Sequence, residues 1–312
     1  SKRFSLLDFP KIHSIHKTPV AVGGGLSIVL VAVMMIFILN TFFYSFFNFK
    51  SMLAFIPALA IACLGYWDDI KALSIKTRLI VQILASIFAL FFFKDIKIFN
   101  SIHQPLYYFL NILIPIFIII WWTNLYNFMD GIDGIAGVEA ISVCLGGAFI
   151  YWLHGDWTMI GLPLVLAAAV AGFLWWNFPS ARIFMGDAGS GFLGLILGIL
   201  SIQAAAVNPQ FFWSWLILLG VFIVDTTVTL LCRLRRGCKL YEAHRSHAYQ
   251  HAVLYFDGHF GVTFRVLMIN IFWLFPMAIL VAKGFLNGSI GLLISYLPLV
   301  ILAVKYKAGK EA

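Results

Sequence analysis

Ten stretches of mostly apolar residues follow one another along the chain, separated by short polar connections. They are 23–45, 52–67, 77–93, 106–123, 135–153, 158–177, 190–207, 211–232, 263–282 and 289–304. A helix needs about 20 such residues to cross the hydrocarbon of a bilayer, and the residue-by-residue alternation of an outer-membrane barrel is missing. The pattern therefore predicts an all-α, polytopic membrane bundle of about ten transmembrane helices, with residues 1–312 forming a single transmembrane domain.

The composition supports a membrane location. Of the 312 residues, 62% are hydrophobic and 11% are charged, whereas soluble domains have about 45–50% apolar and about 25% charged residues. The four cysteines lie in or beside predicted helices or in a basic loop, which does not resemble the framework of a disulfide-rich secreted protein.

Lysine and arginine are distributed unequally between the two sides of the predicted bundle. If the connections alternate sides, 17 of the 21 fall on one side, and the other side keeps Lys50, Lys94, Lys97 and Lys283. The positive-inside rule makes the richer side cytoplasmic. The net charge of +8 is thus mainly a topology signal that also suits anionic lipids and substrates. Nothing in the pattern favours a nucleic-acid partner.

Polar side chains concentrate in four segments of the inner connections, which contain five of the ten aspartates. Four segments carry them: GYWDDIKALSIKTR (65–78), NLYNFMDGIDG (124–134), NFPSARIFMGDAGSG (177–191) and RLRRGCKLYEAHRSHAYQH (233–251). A charge at the lipid boundary costs several kcal/mol unless it is paired. Four such clusters on one side therefore indicate a functional site.

Each cluster also has a simpler explanation. Asp68 and Asp69 could be a solvated helix end, and Asp130 and Asp133 would share a face if their segment is helical. The spacing of His244, His247 and His251 would suit zinc on a helix, but no cysteine or acid completes a familiar zinc pattern. A divalent cation bound by oxygens accounts better for carboxylates gathered from separate loops. With arginine and histidine nearby to complement phosphate, the pattern favours phosphoryl transfer.

The segment Gly189–Gly194 matches G-x-G-x-x-G, but no strand precedes it and no βαβ unit surrounds it. We therefore reject a dinucleotide site. Gly194 and Gly198 instead predict a small-residue face for close helix packing.

As an ordered set, these motifs resemble the polyprenyl-phosphate N-acetylhexosamine-1-phosphate transferases. LLDFPKIHSIHKTPVAVGGG is similar to the family's D-x-P…H…P…GG opening loop, and GYWDDI to its adjacent-aspartate motif. NLYNFMDGIDGIAG is similar to N-x-x-N-x-x-D-G-x-D-G-L-A, NFPSARIFMGDAGSGFLG to N-x-x-P-A-x-x-F-M-G-D-x-G-S, and AHRSHAYQH to the final histidine loop. The likeness runs nearly from end to end.

The resemblance implies a bacterial inner-membrane enzyme with its active site facing the cytoplasm. It would transfer N-acetylhexosamine-1-phosphate from a UDP-N-acetylhexosamine to undecaprenyl phosphate, releasing UMP, in cell-wall or lipopolysaccharide biosynthesis. By position, Asp69 and Asp187 would hold Mg²⁺ (or Mn²⁺), and Asp68 would position or deprotonate the lipid phosphate. The remaining implied roles are substrate contacts by Asn127, Asp130, Asp133, Asn177, Arg78, His244 and Arg245, and a catalytic phosphate contact by His247.

The sequence also departs from the family pattern. The family has a membrane helix before the opening loop, which we expect upstream of residue 1. His13 and Ala21-Val22 stand where relatives commonly carry arginine and Pro-Arg, and Tyr249-Gln250 replaces consecutive histidines of the lipid I enzyme. The last difference favours the O-antigen-initiating branch. The sugar, a homodimer, and a one-step or two-step mechanism stay open, and a secondary transporter with intramembrane carboxylates is the alternative function.

Overall fold

Helices make up almost all of the chain that can be described. The structure, a computed structural model, describes residues 7–8, 19–42, 53, 55–92, 104–239 and 244–311. Its α-helices are α1 Gly25–Phe42, α2 Phe55–Ile70, α3 Ile75–Phe91, α4 Gln104–Met129, α5 Ile135–His154, α6 Trp157–Asn177, α7 Gly186–Val207, α8 Pro209–Leu218, α9 Gly220–Arg235, α10 Ala248–Ala252, α11 Gly258–Ile269, α12 Phe275–Ala282 and α13 Gly288–Lys305. A π-helix, Asn270–Leu274, joins α11 to α12. All ten predicted stretches contain helix, which confirms a polytopic helical membrane protein.

Fewer of these helices than predicted are long enough to cross a membrane unaided. Among the described residues, seven spans have sufficient length and hydropathy, or eight if α8 and α9, which meet at a bend of 71°, form one broken span. The shorter helices are α2 and α3, of 16 and 17 residues. Asp68 and Asp69 lie in the last turn of α2, and a short polar segment joins that helix to α3.

Helix α7 forms the centre of the bundle, because every residue from Ala188 to Ala205 is buried. It packs closely on α4 because Gly194 has no side chain: a Cβ there would lie 2.5 Å from the carbonyl oxygen of Trp122. Gly198 lies similarly against Ile119. The predicted small-residue packing face is therefore confirmed.

A small sheet, which the sequence did not predict, fastens the opening segment to the start of α7. Strand β2 (Val20–Val22) pairs antiparallel with β1 (Leu7–Asp8) and parallel with β3 (Ile183–Phe184). The pairing continues where the Gly25 N–H donates to the Met185 carbonyl oxygen over 2.9 Å. The Ala21-Val22 pair thus serves as strand, while residues 9–18, with His13, lie outside the described chain.

Candidate active site

The end of α2 and the start of α7 are joined through Asp69. Its Oδ1 accepts the Asp187 N–H over 3.0 Å, and its Oδ2 accepts the Ala188 N–H over 3.4 Å. These are unpaired donors of the first helical turn, where a negative charge is also favoured by the helix dipole. Gly65 permits the approach, because a Cβ there would overlap the Asp187 carbonyl oxygen. The two expected metal ligands are therefore neighbours.

Arg78, in the first turn of α3, brings a positive charge to these acids. Its Nε lies 2.8 Å from Asp68 Oδ2, and its Nη1 lies 4.0 Å from Asp187 Oδ2. The Leu73 N–H donates to Asp68 Oδ1 over 2.6 Å. The Asp68 side chain is 5% exposed and that of Arg78 is 37% exposed, so the guanidinium remains accessible while Asp68 supports it from within.

Asp130 adds a further carboxyl group to the same cluster. It follows the last residue of α4 in a non-helical segment, so it does not share a helical face with Asp133 as its spacing allowed. Burial raises the pKa of Asp130 well above its ordinary value, and the negative charges of Asp187, Asp69 and Asp133 raise it further. The described carboxyl groups here outnumber their paired cation, Arg78, so the cluster needs protons on its acids or a further cation.

Asp133 and Asn177 form hydrogen bonds that connect the polar segments 130–134 and 177–183. The Asp133 carboxylate accepts the Ala181 N–H over 3.0 Å and lies 2.9 Å from Nδ1 of His259. Asn177 accepts the Gly134 N–H over 2.8 Å, and its amide donates to the Ile183 carbonyl oxygen over 2.9 Å. Both side chains are largely occupied, so the structure favours shaping of the pocket over direct substrate contact.

The histidine loop is anchored on Asp225 of α9. The Asp225 carboxylate accepts the backbone N–H groups of Ala248 over 3.0 Å and Tyr249 over 2.8 Å. It also lies 3.2 Å from Nδ1 of His247. The His247 side chain is 2% exposed, and its Nε2 has no hydrogen-bond partner among the described residues. This nitrogen is therefore available to a bound group.

The loop lies against the Asp130 segment. The Tyr249 hydroxyl donates to the Phe128 carbonyl oxygen over 3.0 Å, and the Phe128 ring centroid lies 6.2 Å from that of His247. Gly131 is required here because a Cβ would overlap the Tyr249 hydroxyl. The structure thus joins the carboxylate cluster and the histidine loop on one side of the bundle.

The remaining predicted contacts lie around these two groups. His244 stacks on His247 with ring centroids 5.1 Å apart, and burial, with the charges of His247 and Arg233, lowers the pKa of His244 to about 4. Arg245 is exposed, and Asn127 accepts the Ser190 hydroxyl over 3.1 Å. Residues 244–247 are not helical, so the three-histidine face required for zinc does not form.

The carboxylate cluster can be compared with the way in which phosphate-transferring enzymes bind Mg²⁺. Among the described residues, no three His, Cys, Asp or Glu side chains form a ready metal-binding group, but Mg²⁺ commonly takes one or two carboxylates and fills its other positions with water and phosphate. Arg78 lies 2.8 Å from Asp68 and 4.0 Å from Asp187, and carboxyl groups that share one cation need a proton or a further cation nearby. The resemblance assigns the ion to Asp69 and Asp187, and both residues lie in this cluster.

An apolar groove of about 680 Å³ runs between α1 and α2 toward the acids. Leu26 and Leu30 line one wall, and Cys63, Tyr66 and Trp67 line the other. The apolar stretches 52–67 and 77–93, on either side of Asp68 and Asp69, predict such a membrane-facing groove beside α2 and α3. The observed groove has α1 as its second wall instead, and α3 packs beside α2 and α4.

Two residues of this region were missed by the motif analysis. Asp225 looked like an isolated intramembrane acid eight residues before Arg233, but it anchors the histidine loop. His259, which lies against Asp133, belongs to no motif that we singled out. The only sequence signal for it was its position in the long inner connection, 233–265.

Comparison with known proteins supports the motif assignment. Residues 51–205 match the sequence profile of Glycosyl transferase family 4. The phospho-N-acetylmuramoyl-pentapeptide-transferase of Lactococcus lactis is 31% identical over 182 residues, covering 54% of each chain. The corresponding protein of Streptococcus pneumoniae is 28% identical over 218 residues, 67% of this chain and 65% of its own.

The name of a third relative gives a different transferred sugar. The probable undecaprenyl-phosphate N-acetylglucosaminyl 1-phosphate transferase of Bacillus subtilis is 28% identical over 237 residues, covering 73% of this chain and 65% of its own. The matches thus span between 54% and 65% of these relatives' lengths. All three are transferases by name, which gives the transporter alternative no support. The chain thus resembles glycosyl transferase family 4 over residues 51–205, and the named relatives are consistent with the polyprenyl-phosphate N-acetylhexosamine-1-phosphate transferases.

Proposed function

We propose that the protein transfers an N-acetylhexosamine-1-phosphate from a UDP-sugar to undecaprenyl phosphate and releases UMP. The reaction would take place at the cytoplasmic face of the bacterial inner membrane and start an O-antigen-like polysaccharide. The observation that carries the proposal is the meeting of Asp68, Asp69, Asp130 and Asp187 with Arg78 at helix ends beside an apolar groove. This combination suits a reaction between a lipid phosphate and a soluble diphosphate.

The groove between α1 and α2 is the proposed entrance for the acceptor. Its lining is apolar, and its α2 wall ends at Trp67 and Ile70, next to Asp68 and Asp69. A prenyl tail can lie there while its phosphate reaches Arg78, whose guanidinium is part-exposed. The lipid would therefore enter sideways from the inner leaflet without leaving the membrane.

In the proposed reaction, an oxygen of the lipid phosphate attacks the phosphorus attached to the sugar. The bond from that phosphorus to the UMP oxygen breaks, and its electron pair leaves with UMP. Mg²⁺ or Mn²⁺, when bound by Asp69 and Asp187, would neutralise the charge of the diphosphate and of the departing UMP. The protein residues then have to align the two substrates, since alignment contributes much of the rate of phosphoryl transfer.

The contacts of Asp68 favour the first of its two expected roles. One of its oxygens accepts from the Leu73 N–H and the other lies against Arg78. Both oxygens of this carboxylate therefore already have partners within the protein. We therefore assign Asp68 to holding Arg78 toward the lipid phosphate rather than to deprotonating it.

The nucleotide-sugar would lie between the carboxylates and the histidine loop. Because Nδ1 of His247 donates to the Asp225 carboxylate, the unpartnered Nε2 accepts a hydrogen bond when the ring is neutral and would donate one to a phosphate oxygen when the ring is protonated. His244 and the exposed Arg245 would add contacts at the rim. Asn127 and Asp130 would form the floor of the pocket, with Asp133 and Asn177 fixing the loops around it.

Comparing acceptors of different length tests this function. Purified protein in detergent should transfer sugar-phosphate to undecaprenyl phosphate far better than to a short water-soluble phosphate. Cys63 is an exposed residue of the groove wall, so Cys63→Trp should raise the KM for the long acceptor, whereas the nearly isosteric Cys63→Ser should not. Equal use of both acceptors by the wild type would contradict the proposed lipid substrate.

A further inference from the structure

The segment after α13 folds back across the histidine loop. We call residues Tyr306–Lys310 the clasp. The Gly309 N–H donates to the Ser246 carbonyl oxygen over 2.7 Å, next to His247. His251 Nε2 donates to the Lys310 carbonyl oxygen over 2.9 Å. The clasp therefore binds the histidine loop on either side of α10's first residues.

Arg236, just past the end of α9, closes this arrangement. Its Nη1 donates to the Gly309 carbonyl oxygen over 2.8 Å. Gly309 is thus held through both of its backbone groups, one by the histidine loop and one by Arg236. A hydrogen bond from a charged donor is stronger than one between neutral groups. Arg236 therefore connects α9, the clasp and the loop.

The backbone of the clasp has an unusual shape that depends on these contacts. Lys307 and Gly309 have φ angles of 57° and 80°, and a left-handed conformation is costly for a residue with a side chain. Gly309 also lies so close to α9 that a Cβ would overlap Cβ of Cys232. Ala308 is buried against Ala248 and Ala303. Such a shape persists only where the surroundings fix it.

The histidine loop is consequently held from two directions. Asp225 accepts its Ala248 and Tyr249 N–H groups from within the bundle, and the clasp binds Ser246 and His251 from the other side. We infer that Arg236 and Gly309 are positioning residues that fix His247 for phosphate contact. The catalytic part of this inference rests on the proposed function, whereas the fixing of the loop does not.

Arg236→Ala in the full-length protein tests the inference, with Arg235→Ala as the matched control. Arg236→Ala should speed hydrogen exchange in residues 244–252 and lower kcat, each by about tenfold, as for loss of one charge-assisted hydrogen bond. The KM for the UDP-sugar should change less than kcat, because the loop would be misplaced rather than removed. Arg236→Lys keeps a donor and should recover part of kcat.

Gly309→Ala should reproduce the effect of Arg236→Ala, and the double variant should be no worse than either single one, because both act through the same contact. Gly284→Ala is its control: Gly284 has a similar φ of 74°, but nothing lies within 4 Å of its added Cβ. Wild-type exchange of residues 244–252 in both Arg236→Ala and Gly309→Ala would refute the clasp. An inactive wild type would refute the proposed function, and the exchange measurements would still decide whether the clasp holds the loop.

Discussion

Replacing Asp225 by asparagine should release the histidine loop without changing its size. The carboxylate faces four donors: the N–H groups of Ala248 and Tyr249, the His247 imidazole, and the Thr229 hydroxyl. An asparagine keeps one acceptor oxygen and turns an NH₂ group toward a donor. At least one buried N–H then loses its partner, which costs about 1–3 kcal/mol.

That cost corresponds to a change of about 5- to 150-fold in the equilibrium between the closed and open loop. We expect turnover of the Asp225→Asn enzyme to fall by a similar factor, with faster hydrogen exchange in residues 244–252. Asp156→Asn is a suitable control, because Asp156 precedes α6 at the opposite side of the membrane and makes no side-chain cap bond. Normal turnover and exchange in Asp225→Asn would refute the role given to Asp225.

Three further predictions concern the carboxylate cluster and the loop. Gly65→Ala should destabilise the protein and lower turnover, because its Cβ would overlap the Asp187 carbonyl oxygen. Thermal unfolding and UMP release measure the two effects. The control Gly172→Ala has open space around its Cβ and should be neutral or stabilising. Asp187→Asn should abolish turnover while the protein stays folded, because an amide replaces a charged metal ligand poorly; turnover near that of the wild type would refute the ligand assignment. In the closed loop, the pKa of His244 is lowered to about 4, whereas its ordinary value is about 6.5. Between these two pH values the open loop binds more protons than the closed loop does. The stability of the closed loop should therefore be full above pH 6.5 and decline as the pH falls. Hydrogen exchange of residues 244–252, corrected for intrinsic rates, should therefore be faster at pH 5 than at pH 7, and His244→Gln should reduce that difference.

The bundle and the location of the site were predictable because both depend on local patterns. Apolar stretches predicted every helix except the short α10, although 211–232 was predicted as one helix and forms two. The acids at their inner ends predicted where Asp69 and Asp187 lie. Gly194 could be assigned to helix packing because small residues at helical spacing allow close approach.

The parts that sequence reasoning missed depend on contacts between distant segments. β2 and β3 have three and two residues and lie about 160 positions apart, too short for any alternation to be recognised. Asp225 looked anomalous because its four donors come partly from a loop more than 20 residues away. The role of His259 could not be predicted for the same reason, since its partner Asp133 is 126 residues distant.

Formation of a lipid-linked product tests the central claim most directly. Purified protein would be given undecaprenyl phosphate, a UDP-N-acetylhexosamine and Mg²⁺, and both UMP and the lipid would be quantified, with Asp187→Asn and a chelator-treated sample beside the wild type. We predict equal amounts of UMP and lipid-diphosphate-sugar from the wild type alone, restored in the chelated sample by Mg²⁺ or Mn²⁺. Product formation that is unaffected by the chelator and by Asp187→Asn, or no product with any UDP-N-acetylhexosamine, would contradict it.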